Sequence, residues 1–156
     1  MAEPVSYEFI TLIKRLSGRL QQNIDAWLRP YGLARTQYVM LYYLHSQPGI
    51  SGVELAEKMM IEPATLTSVV DVLQTKGLVE RIDRTDDKRR KDIRLTESGE
   101  KLLREIPPPG PAMEAVLLDN LSHEQSDAFK NMGYRMLNNL EDELEKQGEG
   151  KHVSKD

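Results

Sequence analysis

The sequence predicts a mostly α-helical protein carrying one small β-hairpin wing, and three observations carry that prediction. Apolar residues recur at helical spacing toward both ends of the chain. Proline and glycine interrupt that spacing at short intervals, and two segments, LVERID (78–83) and KDIRLT (91–96), switch to two-residue alternation. At 156 residues the chain is one domain's worth, and it can bury a core without metals or cross-links.

In the first helix, Phe9, Leu12, Ile13, Leu16, Leu20, Ile24, Trp27 and Leu28 form one stripe, so residues of about 5–29 read as a long amphipathic helix stopped by Pro30. After the PYG turn, TQYVMLYYLHS (36–46) places Val39, Met40, Tyr43 and Leu44 on a second helix ending before Pro48 and Gly49. Leu55, Ala56 and Met59 give a short third helix. Pro63, at a first helical position, opens a fourth whose stripe is Leu66, Val69, Val70 and Leu73 and whose stop is Gly77. The alternating pair then reads as an antiparallel hairpin with one covered face, held down by Ile82, Ile93 and Leu95. Thr96 caps a connecting helix of about 97–106, which the PPPGP run at 107–111 closes. After AMEAVLLDNL, a capping box of Ser122 and Gln125 opens a long last helix carrying Phe129, Met132, Met136, Leu137, Leu140 and Leu144. The tail from Gly148 has no apolar period and reads as disordered.

Helix, sharp turn, helix, strand, charged loop, strand is the order of a winged helix-turn-helix, residues of about 36–96. In that arrangement a helix enters a DNA major groove and the hairpin flanks it. Thr65, Thr67 and Ser68 lie in the first two turns of the fourth helix, off its apolar stripe, where hydroxyls can reach phosphates or base edges. The hairpin tip carries Arg84, Lys88, Arg89 and Arg90, with Lys91 next to them. RIDRTDDKRRKDIRLT (81–96) holds seven bases against four acids in a chain of net charge −4. That charge is sorted along the chain: residues 52–96 carry nine bases and nine acids, whereas 112–147 carry three bases and eight acids.

EPATLTSVVDVLQTKGLVER and DDKRRKDIRLTESGEKL resemble the recognition helix and wing of the multiple-antibiotic-resistance regulator (MarR) family of bacterial winged-helix transcription factors. Asp87, Lys88, Arg89, Leu95, Thr96 and Gly99 fall on the family's wing pattern, and YGLARTQYVMLYYL and LSHEQSDAFKNMGYRMLNNLE are similar to its second and closing helices. The resemblance implies a single domain over residues 1–147. It implies a homodimer joined by helices at about 5–29 and 112–147 that sets two winged helices on a near-palindromic double-stranded operator. It also implies a repressor that a small aromatic acid or phenolic releases. Arg89 is then the side chain that enters the minor groove, and Asp87 shapes the loop by accepting hydrogen bonds. Trp27, Tyr31, Tyr38 and Tyr42 are the candidate walls of an effector cleft, and Arg15 or Arg19 its carboxylate partner. The chain departs from the pattern at Ser68, where relatives often carry arginine, and at PPPGP, which interrupts a usually more continuous helix.

Other classes find less support. No phosphate-cradling glycine loop or nucleophile elbow occurs, so no enzyme reaction and no cofactor are expected. His45, His123 and His152 lack metal-ligand spacing, which sets a metal-responsive regulator below the ligand-responsive one; no metal is expected. A winged helix that contacts protein instead of DNA is the other alternative. The absence of cysteine excludes thiol redox sensing and fits a cytoplasmic location. Neither a signal peptide nor a membrane span is expected, since MAEPVSYEF has no basic stretch leading into an apolar one.

Overall fold

The computed structural model describes residues 7–83 and 91–150. In chain order they form α1 (Glu8–Leu28), a 3-10 turn (Arg29–Tyr31), α2 (Arg35–Ser46), α3 (Gly52–Met59), α4 (Pro63–Thr75), β1 (Val79–Asp83), β2 (Lys91–Leu95), α5 (Glu97–Glu105), α6 (Pro109–Leu117) and α7 (His123–Gly150). The chain divides into two compact units, one up to Met113 and one from Glu114 onward.

In the first unit the core gathers one face from each of five helices and both strands. Leu28, Met40, Leu41, Leu55, Val70, Leu73 and Val79 are its fully buried side chains, with Ile24, Trp27, Ile93, Leu95, Leu102 and Leu103 packed against them. Local chemistry sets each boundary. Pro30 ends α1, the chain reverses at Gly32 in the left-handed region (φ 67°), and the Gln37 side chain accepts the Ala34 N–H at the start of α2. A reciprocal box starts α3, with Glu54 N–H donating to Ser51 Oγ (3.2 Å) and Ser51 N–H to Glu54 Oε2 (3.0 Å). The hydrogen bonds from Ser51 hold the Glu54 carboxyl below its ordinary pKa, helped by Lys58. Met60, left-handed at φ 52°, closes α3, and three residues later Pro63 opens α4; this is the sharp turn between the two helices.

β1 and β2 pair antiparallel, with Val79 opposite Leu95, Arg81 opposite Ile93 and Ile82 opposite Asp92. Residues directly opposite share a face. Val79, Arg81, Ile93 and Leu95 therefore lie on one face, and Ile82 lies on the other with Asp92 and Arg94, not beside Ile93 and Leu95 as the alternation suggests. The base of the hairpin is knotted to α4 and α5. Thr96 Oγ1 accepts the Gly99 N–H (3.1 Å) and donates to the Gly77 carbonyl (2.6 Å), while the Thr96 N–H donates to the Leu78 carbonyl (3.1 Å).

Three boundaries differ from those the sequence suggests. The break at the proline run covers only residues 106–108, because Pro109 and Pro111 lie in the first turn of α6. Proline's missing N–H costs nothing there, since first-turn N–H groups have no helical acceptor. The span 112–147 is two helices, parted by a turn in which Asn120 adopts φ 62°. α7 opens on the expected box, with Ser122 N–H donating to Gln125 Oε1 (2.8 Å) and Gln125 N–H to Ser122 Oγ (3.2 Å). It runs to Gly150, so the backbone at 148–150 is helical where a disordered tail is expected; 151–156 lie outside the described residues.

Candidate nucleic-acid interface

Two elements present the candidate interface, α4 and the hairpin that follows it. The buried stripe of α4 is Leu66, Val70 and Leu73, which leaves Thr65, Thr67 and Ser68 exposed in its first two turns. Thr67 Oγ1 donates to the Pro63 carbonyl (3.1 Å) and Ser68 Oγ to the Ala64 carbonyl (3.2 Å). With their protons held by the helix, both hydroxyls offer lone pairs outward, which suits an amino donor on a base edge; donating to a phosphate requires the hydroxyl to rotate away from its helix carbonyl. The hairpin-tip candidates Arg84, Asp87, Lys88, Arg89 and Arg90 lie outside the described residues.

Sequence reasoning missed the side chains that join hairpin to helix. Arg81, midway along β1, sends its guanidinium to α4: Nη2 lies 2.6 Å from Asp71 Oδ1 and Nη1 donates to Gln74 Oε1 at 2.8 Å. At the far end of α4, Lys76 donates to the Gly32 carbonyl (2.6 Å) and Gln37 Oε1 (2.9 Å), tying it to the turn before α2. The alternation gave no signal for the first, because only the register with β2 places Arg81 on the face of Val79, Ile93 and Leu95. Arg81 occupies the inward phase of an otherwise apolar strand face, and a charge placed there needs a partner.

The six effector candidates do not share one environment. Tyr38 is buried in the core, and burial, reinforced by neighbouring Tyr42, raises its phenol pKa. Trp27 and Tyr31 pack against that core, and the Trp27 indole N–H donates to the Pro107 carbonyl (3.0 Å). Tyr42 is half-exposed and meets Tyr43 edge-on at 6.1 Å. Arg15 and Arg19 lie on the exposed side of α1, with Arg19 bonded to Gln22. An open groove between α3 and α4 is lined instead by Val53, Ala56, Met60, Glu62, Leu66 and Thr67, among others. Among the described residues no group of His, Asp and Glu could hold a metal ion; His45 pairs with Glu100 across α2 and α5 (2.9 Å). No described helix is long and apolar enough to cross a membrane.

A helix-turn-helix braced by an antiparallel hairpin defines a winged-helix protein. The comparisons with known proteins give the family. The MarR family model matches residues 33–91. The transcriptional regulator HosA of Escherichia coli is 32% identical over 119 residues, covering 76% of this chain and 88% of HosA. Among solved structures, the S. aureus MepR–DNA complex superposes with a TM-score of 0.75 at 27% identity, covering 88% of this chain and 99% of MepR. CouR from Rhodococcus jostii RHA1, bound to p-coumaroyl-CoA, shares the fold with a TM-score of 0.71 at 24% identity, covering 89% and 95%. The chain belongs to the MarR family and is a transcriptional regulator of that family.

Proposed function

We propose that the protein is a homodimeric repressor that binds a near-palindromic double-stranded operator and leaves it when a small aromatic acid or phenolic binds. The observation that carries the DNA-binding part is the exposed hydroxyl face of α4 beside a hairpin whose tip sequence is DDKRRK. A helix end dipped into the major groove next to cations is a working arrangement for reading bases while holding phosphates. MepR, a relative of matching length, has been crystallised with DNA, which supports the same partner here. The protein acts by binding and not by catalysis, and a cytoplasmic location suits that role.

Dimerisation follows from surface chemistry. In α1, Phe9, Ile10, Leu12, Ile13 and Leu16 are exposed, and in α7 so are Phe129, Met132, Leu137, Leu140 and Leu144. Apolar stripes of that length on two helices call for a partner, and a second copy supplies one by symmetry. The effector arm rests on a family fold that in CouR holds p-coumaroyl-CoA; of the candidate residues, Tyr42, Arg15 and Arg19 are exposed enough to meet a ligand, whereas Tyr38 is buried in the core.

The test is a titration of the purified protein onto its own upstream DNA at several salt concentrations. Binding should weaken steeply with salt through counterion release; a salt-flat or sequence-blind response would remove DNA from the account. Screening small aromatic acids for release of the bound DNA then tests the effector arm, and no release by any of them would sink it.

A further inference from the structure

Besides apolar packing, two sets of hydrogen bonds among the described residues tie the hairpin to the rest of the first unit. The first is the knot at its base, where Thr96 joins Gly77, Leu78 and Gly99. The second lies farther out: Arg81 reaches from the middle of β1 to Asp71 and Gln74 on α4, closing a two-bond fork. Arg81 stands three residues before the charged tip, and its strand partner Ile93 packs against the core. The apolar contact of Ile93 has no direction of its own, so with polar bonds at the base alone the hairpin can rock over the core. A planar guanidinium gripping one helix at two points stops that rocking, because both N–H bonds must be satisfied at once.

We infer that Arg81 is a positioning residue that sets the angle between the hairpin and α4, with Asp71 and Gln74 as its seat. The inference rests on the DNA-binding reading above. Its consequence is that α4 can meet the major groove by itself, whereas the hairpin is held toward the neighbouring minor groove only while the fork is closed.

The rival role for Arg81 is a direct phosphate contact, and the two make opposite predictions for Asp71. If Arg81 held a phosphate, Asp71 would compete for it, and Asp71→Asn would free the guanidinium, remove a negative charge and strengthen binding. If Asp71 seats Arg81, the same substitution weakens binding by roughly fivefold, the upper end of what one partly exposed ion pair holds. Asp71 and Gln74 are both exposed, so neither change opens the core.

The experiment measures operator affinity of the full chain for wild type, Asp71→Asn, Gln74→Leu, Arg81→Met and the Arg81→Met/Asp71→Asn double variant, with thermal melting alongside. Expected are losses for each single variant with melting little changed, a double variant no weaker than Arg81→Met, and loss of minor-groove protection in hydroxyl-radical footprints while the major-groove contacts of α4 persist. Unchanged or tighter binding by Asp71→Asn, additive losses in the double variant, or uniform fading of the whole footprint would each overturn the positioning role. A wild type that shows no salt-dependent operator binding would bring down the DNA-binding reading itself, and this inference with it.

Discussion

Single residues hold the hairpin and the helix starts in place, and two can be tested by stability alone. A Cβ at Gly99 would collide with the Leu78 carbonyl oxygen, the same oxygen that accepts the Thr96 N–H. The Leu-Thr-x-x-Gly pattern of Leu95, Thr96 and Gly99 is thus one knot: threonine ties strand to helix, and glycine lets the two backbones touch. Gly99→Ala should cost about 2 kcal/mol in urea unfolding, since the carbonyl must move and lose its bond; a loss within error of zero would mean that the knot gives freely. Glu54 makes a prediction in pH. Its carboxyl is held below the ordinary range by Ser51, so its contribution to folding is complete above the unfolded glutamate pKa of about 4.3 and disappears as pH falls through the lower native value. The stability gap between wild type and Glu54→Gln should therefore be level near neutrality and close in acid. Thr67→Ala should alter the ranking of operator variants more than overall affinity, because its proton is committed to Pro63 and its lone pairs face outward. A uniform loss would make it a phosphate contact.

At the scale of elements, the wing is the part whose removal should separate DNA binding from folding. Arg89→Ala should weaken operator binding while leaving melting and assembly unchanged, since the tip sequence DDKRRK carries charge and no apolar side chain; unchanged binding would take the wing out of the mechanism. The elements show why some features were legible in sequence and others were not. Helices α2, α3 and α4 are legible because of their apolar spacing, Leu55, Ala56 and Met59 in the case of α3, and because Pro48 and Gly49 stop α2 while Pro63 and Gly77 bound α4. The capping box opening α7 is legible because its partners are three residues apart. The proline run misleads because two of its prolines occupy the one helical turn that tolerates them. Ile82 misleads because alternation shows that a strand has two faces without saying which one is covered, and the register with β2 decides that. The Arg81 fork joins residues ten and seven positions apart around the Gly77 turn, a separation that no periodic pattern marks. The effector candidates were chosen by residue type, which cannot tell a core tyrosine such as Tyr38 from a half-exposed one such as Tyr42.

For the whole molecule, the distribution of charge and apolar surface argues for a division of labour. The acidic surplus lies at 112–147, in the segment that also exposes Leu137, Leu140 and Leu144, while the basic cluster lies at the hairpin. A phosphate-binding surface gains from cations and a subunit interface gains from apolar area, so the distribution matches the proposed roles of the hairpin and of α7. If α7 joins two copies, a charge placed within its exposed stripe should part them without disturbing the first unit's core, because Leu140 is 65% exposed and its loss leaves no cavity. Leu140→Glu should therefore sediment as a monomer, or dissociate at concentrations where wild type stays paired, with its helix content retained. Operator affinity should then fall about a hundredfold or more, because each half-site must be found independently once the second winged helix is no longer held at high effective concentration. The two measurements together are decisive. A variant that remains a dimer clears α7 of the role, and a monomer that binds the operator as tightly as wild type would show that a single winged helix suffices, leaving the near-palindrome without a structural reason.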